Sequence, residues 1–476
     1  MVLRRQIRLA AADGEDVRAG FARIRAELDI PDVFPPQVAE AADRAARAPS
    51  LPDHDRTDLP FVTIDPTDSS DLDQAVHIER RGTGYRVHYA IADPLAFFEP
   101  FGVVDQETHR RGVTLYAPDR RTPLHPDVLC EDAASLLPGE LRPALVWTMD
   151  LDAAGEGIAV EVRRAVVRSR AKLDYIGVQR ALDDGTADEL LVLLREVGLL
   201  REERERDRDG VNLPTPDQVV VQQGTGWTLE YRAPLPVEGW NAQMSLMCGM
   251  AAAHLMLYGE TGILRTLPAA DPRELDRVRR SAAALGVGWP AETSYATFMR
   301  ALDPNQPAHA ALLASSTVLL RGVGYTSFEG GVPAQPMHVA LASEYAHVTA
   351  PLRRLVDRYG AEVCVSLCAD APVPEWVRTG LDVVPKEMAE AERKAHQYER
   401  AIVDLVEAAL LQSHVGGVFT GVVTEVDQRN ARGTVQLQDP AVEASVAGKD
   451  LPLGNRVELR LVEADVVQRK VHFELA

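Results

Sequence analysis

The sequence predicts an α+β protein, with a large mixed domain, a short helical region before it and a small all-β module after it. Three observations carry that reading. The chain has 476 residues, and single cores tend to stop growing at roughly 250 to 300, so two or three domains are expected. Its pattern switches from helical spacing to strand alternation near Phe61, and after Ser413 it consists of short alternating strands with glycine turns. Apolar content of 46% and charged content of 26% describe a folded globular chain with no long low-complexity tract.

Taken in order, residues 1–57 read as short helices and a linker. "EDVRAGFARIRAEL" sets Val17, Phe21, Ile24 and Leu28 at near-helical spacing, and "PPQVAEAADRAAR" opens with prolines suited to a first turn. "APSLPDHDRTDLP" is the linker. From 58 to 413 the pattern is mixed: a hairpin of "AVHIE" and "YRVHYAIAD" about the turn "RRGTG", then the strands "PALVWTMDLD" and "AVEVRRAVVRS". Helices are expected around 174–183, 188–198, 238–258, 272–285 and 352–368, and a long one over 386–412 closes the region. Residues 414–476 suit a small antiparallel barrel such as the OB-fold, whose strand face often binds single-stranded nucleic acid. The lysines and arginines of this segment do not outnumber its acids.

A net charge of -20 argues against attraction of the whole surface to nucleic acid or anionic membrane, so any nucleic-acid contact must be local. Cys130, Cys248, Cys364 and Cys368 are scattered and lack the histidines of a zinc site, which makes them core thiols. "MVLRRQIRLAAADGED" has no long apolar run of the signal-peptide kind. The most apolar helix, Ala242 to Leu257, is too short for a bilayer and carries Gln243 and His254. A reducing cytoplasmic location and no membrane partner are expected, and no obligate protein partner is evident.

"FVTIDPTDSSDLDQAVHIER" places aspartates at 65, 68, 71 and 73. Such crowding of like charge is either a solvated loop or a cage for a cation. If the piece is extended, Asp71 and Asp73 share one face while Leu72 points to the core, giving convergent oxygens of the kind magnesium requires. A calcium loop fits poorly, since Ser70 stands where glycine is needed and Val76 where the bidentate glutamate belongs. A second motif, "YAHVTAPLRRLVDRYG", reads as a helix capped by Thr349 with Pro351 in its first turn. Leu352, Leu355, Val356 and Tyr359 form its apolar stripe, and Arg353, Arg354 and Arg358 point elsewhere. A helix N-terminus beside arginines is either a phosphate site or an amphipathic helix with solvated charges.

Together these motifs resemble the ribonuclease II family of 3'-to-5' exoribonucleases, and the likeness runs from about Phe61 to Ala476. "TID" at 63–65 and "DLDQA" at 71–75 are similar to the family's "TID" and "DLDDA", and "YAHVTAPLRRL" to its "Y-x-H-x-T-S-P-I-R-R-Y". "LYAPDRRTPLHP" and "SLLPGELRPAL" look like its tyrosine-containing loop and the segment after it.

The resemblance implies an RNB-type catalytic domain that threads single-stranded RNA into a narrow channel, followed by an OB-fold that helps to hold it. An acidic protein can then act on RNA, because only the channel lining must be basic. By the same resemblance, Asp65, Asp71 and Asp73 bind the metal and Arg353 holds the phosphate at the scissile bond with Arg354 as helper. Tyr116 and Tyr175 pack on terminal nucleotides, and Glu238 and Glu399 contact substrate. The implied activity is processive hydrolysis of RNA to nucleoside 5'-monophosphates with Mg2+.

Two departures stand out. Residues 1–57 are too short for the pair of cold-shock barrels of many relatives, so RNA entry and tolerance of duplexes would differ. Gln74 stands where the family has its fourth aspartate. Its carbonyl can ligate a cation or orient its water without adding charge, which would loosen magnesium and favour Mn2+, with Asp68 and Asp93 contributing through water. The same departure motivates a rival reading, a catalytically inactive RNA-binding protein of the same fold. A third is an unrelated magnesium phosphohydrolase acting on small nucleotides.

Overall fold

In the computed structural model, the described residues are Ala12, 14–211, 217–427 and 429–476. Most of the signal-peptide reading over "MVLRRQIRLAAADGED" therefore lies outside them. The N-terminal helices are α1 (Gly14–Glu27) and α2 (Pro36–Ala46). Val17, Phe21 and Ile24 are the buried stripe of α1, and Phe21 meets Trp227 edge-on at 5.6 Å.

The large domain is built on a six-stranded sheet. It contains β1 (Val62–Asp65), β2 (Gln74–Arg81) and β3 (Gly84–Ala92), then α3 (Val103–Arg111) and the short pair β4 (Leu115–Tyr116) and β5 (Arg121–Thr122). β6 (Arg142–Leu151), β7 (Gly157–Val167) and β8 (Ala171–Asp174) follow. The order is β7-β6-β3-β2-β1-β8, with β1 and β8 parallel and the other neighbours antiparallel. Gly82, with φ +60, supplies the left-handed residue of the β2–β3 turn. Alternation sends Ile78, Tyr89 and Trp147 to one face, against the main helices, and Ala75, Ala90 and Val146 to the other, under α2 and α3.

Next come α4 (Tyr175–Asp183), α5 (Glu189–Asp207), β9 (Asp217–Gln223), β10 (Gly226–Arg232), α6 (Pro236–Tyr258) and β11 (Thr261–Thr266). Asp174 and Asp188 cap α4 and α5 through the backbone N–H groups of Gly177 and Leu191. α5 runs nine residues beyond the expected 198, since Arg201 is buried against the carbonyl of Gly155 and extends the packed face. A helical lobe of α7 (Pro272–Ala284), α8 (Tyr295–Arg300) and α9 (Pro307–Ser316) has its own core around Phe298 and Leu312. Then follow β12 (Gly324–Glu329), β13 (Met337–His338), β14 (Ser343–Glu344), α10 (Leu355–Cys368), α11 (Glu375–Leu381) and the long α12 (Val384–Leu411).

β15 (Val418–Asp427), β16 (Arg432–Leu437), β17 (Val442–Ala447), β18 (Arg456–Asp465) and β19 (Lys470–Leu475) close a barrel in the order β15-β16-β17-β19-β18. Its core includes Phe419 and Phe473. The cysteines among the described residues are free thiols, with Cys130, Cys248 and Cys364 buried. No helix among the described residues is long and apolar enough to cross a membrane.

The barrel meets the large domain across a buried carboxylate. Glu407 of α12 accepts from Gln218 Nε2 and from the backbone N–H of Glu443, each at 2.8 Å. Burial raises its pKa from 4.5 to about 7, opposed by those two hydrogen bonds and by Arg400, and aided by Asp404. A carboxyl raised on folding stabilises the protein below its unfolded pKa, and that contribution is lost as pH rises through the folded value. Between pH 4.5 and 8 the loss is on the order of 3 kcal/mol. Thermal melts should therefore show Glu407→Gln declining less than wild type over this range; parallel pH profiles would remove the assignment.

Candidate active site

The parallel register of β1 on β8 sets Asp65 opposite Asp174, so that Asp65 and Tyr175, the first residue of α4, arrive together. Asn241 of α6 ties the pair, its Nδ2 donating at 3.3 Å both to the carbonyl of Ile64 and to the Tyr175 hydroxyl. Between β1 and β2 the acidic loop is pinned at several points. Lys172 Nζ donates to the carbonyls of Thr67 and Ser69. Ser135 Oγ receives the N–H of Leu72 and donates to the carbonyl of Ser70. Leu72 is fully buried, as its place between two carboxylates predicts.

Asp73 is buried, with Oδ1 accepting from the backbone N–H of Leu352 at 2.8 Å and Oδ2 3.2 Å from Arg353 Nε. Asp71 pairs with Arg121 at 3.0 Å and takes a long contact of 3.5 Å from the Tyr116 hydroxyl. Asp65 Oδ2 is buried without a hydrogen-bond partner. Burial raises the pKa of Asp65 to about 6, with Asp71 adding to the rise and Arg353 opposing it. Burial likewise raises Asp73 to about 7 against the pull of Arg353 and the Leu352 N–H. Both rises thus come chiefly from burial, which Arg353 offsets only in part. Among the described residues, however, no three His, Cys, Asp or Glu side chains stand gathered as a ready cation site. Arg353 and Arg121 occupy carboxylate oxygens instead.

The arginine-bearing segment departs from its expected form. The helix begins at Leu355, Arg354 is its N-cap, and Thr349 and Pro351 lie in a preceding turn. The turn closes on the Ala350 carbonyl, which accepts from the N–H groups of Arg353 and Arg354 at 3.2 and 3.0 Å, and carboxylates hold its remaining groups. Asp357 accepts from the N–H of Ala350 and takes Arg354 in a two-pronged pair at 2.9 and 2.8 Å, while Asp73 takes Leu352 and Arg353. Arg354 is therefore committed to Asp357 and supports the turn from behind. Arg358 is buried against Asp105 and is not a solvated charge. Arg353 keeps 43% of its side chain exposed beside the aspartates.

Other expected residues fall in several places. Tyr116, opposite Arg121 in the β4–β5 pair, is 53% exposed, which removes core packing as its role. Tyr175 is partly buried and anchored by its hydroxyl. Glu238 sits at the N-terminus of α6, close enough to Tyr175 to raise that phenol's pKa, a smaller influence there than burial. Its carboxylate serves the backbone of Leu235 and both terminal nitrogens of Arg232. Glu399 is exposed on α12, and none of the described contacts joins it to the aspartates. Gln74 is turned to hydrogen bonds with the Thr349 carbonyl and the Tyr89 hydroxyl. Asp93 belongs to a separate buried pair with Arg164 at 2.7 Å, and Asp68 is exposed. Arg121, Asn241 and Asp357 were missed in the sequence. Only Arg121 carried a signal, its place five residues after Tyr116.

A family model described as the RNB domain matches residues 53–363, and one described as the RNase II-type exonuclease C-terminal S1 domain matches residues 417–476. Ribonuclease R of Escherichia coli (strain K12) is 24% identical over 502 residues, covering 94% of this chain and 61% of that protein. The chain thus spans about three fifths of that relative's length. Among solved structures, Mycoplasma genitalium RNase R in complex with ribose methylated single-stranded RNA matches with TM-score 0.86 at 18% identity, over 97% of this chain and 78% of that one. Yeast Ssd1, described as a pseudonuclease, matches with TM-score 0.71 at 15% identity, over 93% of this chain and 57% of its own. At such identities these likenesses establish the fold alone.

Proposed function

Since the chain belongs to the RNB-domain family, we propose that it is a processive 3'-to-5' exoribonuclease, releasing nucleoside 5'-monophosphates from single-stranded RNA with a divalent metal. The observation that carries this is one pocket in which Asp71 and Arg353 act electrostatically on both Asp65 and Asp73, with Arg353 half-exposed and Tyr116 exposed beside them. The three carboxylates suit a hard cation: their donors are oxygens, Asp65 Oδ2 is buried without a partner, and burial, aided by the charge of Asp71, raises the pKa of Asp65 and Asp73. A bound magnesium or manganese ion would supply a more acidic water and a polarised phosphoryl oxygen.

The chain's own residues do the rest. Asp73 fixes the turn that carries Arg353, and Arg353 aims its guanidinium at the phosphate and stabilises the charge that builds on the phosphoryl oxygens. Tyr116 offers an exposed ring to a base near the 3' end, and Tyr175, held by Asn241, borders the pocket at Asp65. Stacking and the 2'-hydroxyl provide the preference for RNA and for single strands.

The test is a single-stranded RNA labelled at its 5' end, incubated with magnesium or manganese and with EDTA. Metal-dependent shortening from the 3' end with release of mononucleotides supports the reading. A gel shift without cleavage in either metal favours the inactive RNA-binding protein, a reading that Gln74 and the likeness to a pseudonuclease keep in play.

One base stacked on Tyr116 is worth roughly 1 to 3 kcal/mol, enough to decide whether a short RNA leaves or is cut again. Tyr116→Ala should therefore change the length of the final oligonucleotide more than the early rate. An unaltered product ladder would dissociate Tyr116 from the RNA.

A further inference from the structure

We infer that Gln74 is a positioning residue that clasps the arginine-bearing turn, and not a member of the cation-binding set. Its kinetic consequence rests on the exoribonuclease reading; its structural consequence does not. Gln74 opens β2 immediately after Asp73. Its Nε2 donates to the carbonyl of Thr349 at 2.7 Å, and its Oε1 accepts from the Tyr89 hydroxyl at 2.7 Å, with Ser245 Oγ 3.2 Å away. Ser245 and Tyr89 are themselves 2.8 Å apart, and Tyr89 is fully buried. The orientation of the amide is forced, because a peptide carbonyl accepts only, so the nitrogen must face Thr349 and the oxygen must face the hydroxyls.

The turn begins at the next residue, Ala350, and its middle is held by Asp73 through the N–H of Leu352. Two consecutive side chains, Asp73 and Gln74, therefore grip one turn, the first at an N–H and the second at a C=O. The two bonds are complementary in kind: an acceptor meets the donor and a donor meets the acceptor. An ionised carboxylate at 74 has no proton to give and would set two acceptors against each other, beside the charge of Asp73. The aspartate of the family's "DLDDA" pattern is thus the wrong residue for this turn. Restoring it should loosen Arg353, and small misplacements of a positioning group cost on the order of a hundredfold in rate.

Gln74→Glu tests this with nearly constant shape, on the full chain, by three measurements: Mn2+ binding from the electron paramagnetic resonance of free ion, amide hydrogen exchange, and steady-state kinetics on single-stranded RNA. The expected result is Mn2+ affinity within about threefold of wild type, with exchange over 349–354 about tenfold faster while residues 418–427 of the barrel are unchanged. kcat should fall by about tenfold or more with KM within about threefold, because the loss is of alignment and not of RNA contact.

Tighter Mn2+ binding with undiminished kcat would return Gln74 to the cation set and overturn the inference. Unchanged exchange over 349–354 would also overturn it. If exchange rises in the barrel as well, Gln74→Met, which removes the donor to the Thr349 carbonyl without adding charge, replaces the first variant; faster exchange confined to 349–354 then supports the inference, and unchanged exchange overturns it. A wild type that releases no nucleotide defeats the exoribonuclease reading, and Mn2+ binding and exchange then decide the role of Gln74 by themselves.

Discussion

Asp73→Asn is expected to lower mononucleotide release by at least about a thousandfold, some 4 kcal/mol of transition-state stabilisation, while RNA binding stays within a few-fold of wild type. The size follows from two simultaneous losses. The substitution removes one of three carboxylate charges offered to the cation, and it sets an uncharged amide against Arg353 Nε, now 3.2 Å from Asp73 Oδ2. The bond from the N–H of Leu352 to Oδ1 survives, since the asparagine carbonyl still accepts, so the turn keeps its place and the fold is spared. Filter binding and nucleotide release measured side by side check the split. A variant that cuts at even a tenth of the wild-type rate would show that Asp73 is only a strut.

Arg353→Ala should cost about 100- to 1000-fold in kcat/KM, the range for removing one preorganised group from developing phosphoryl charge. Among the described residues Asp73 takes only Nε, and the terminal amino groups have no partner, so the planar fork is available to a phosphate. Arg353→Lys restores the charge without the fork and should recover only part of the rate. Arg354→Ala makes the informative comparison. Its guanidinium is bound to Asp357, so its removal strips a partner from a buried carboxylate and should lower the melting temperature more than it lowers the affinity for RNA. Equal rates for Arg353→Ala and wild type would remove the phosphate role.

How much of this was legible beforehand depended on whether a residue's partner lay nearby in sequence. The stripe of α1, the β2–β3 hairpin, the long α12 and the terminal barrel follow from local periodicity, and the structure has them. The acidic loop and the arginine motif were visible as motifs. The core position of Leu72 was legible too, but the joint geometry was not, because it is made by Ser135 pinning the loop and by Asp357 organising the turn. The start of α10 was misplaced because the apolar spacing of Leu352 continues the stripe, while the extended backbone of Arg354, bridged to Val113, separates the turn at 350–354 from the helix. Glu238 and Arg354 carry chemistry suited to substrate contact, and their hydrogen bonds to Arg232, Leu235 and Asp357 are ones that no spacing rule reveals.

The clasp between Asp73 and Leu352 spans 279 residues. During synthesis at about 5 to 20 residues per second, roughly 15 to 60 s separate the two halves of the pocket leaving the ribosome. In that interval the aspartates are present without the turn that organises Asp73, and β1 also waits for β8, its parallel neighbour. Such non-local closure is slow, because the entropy of a long loop must be lost before any contact repays it. A nascent chain therefore carries the acidic half of its pocket before the arginine half exists, and the complete pocket arrives only with the last third of the large domain. The same separation makes the pocket sensitive to partial unfolding: detachment of α10 alone would disarm the protein while leaving most of its sheet intact.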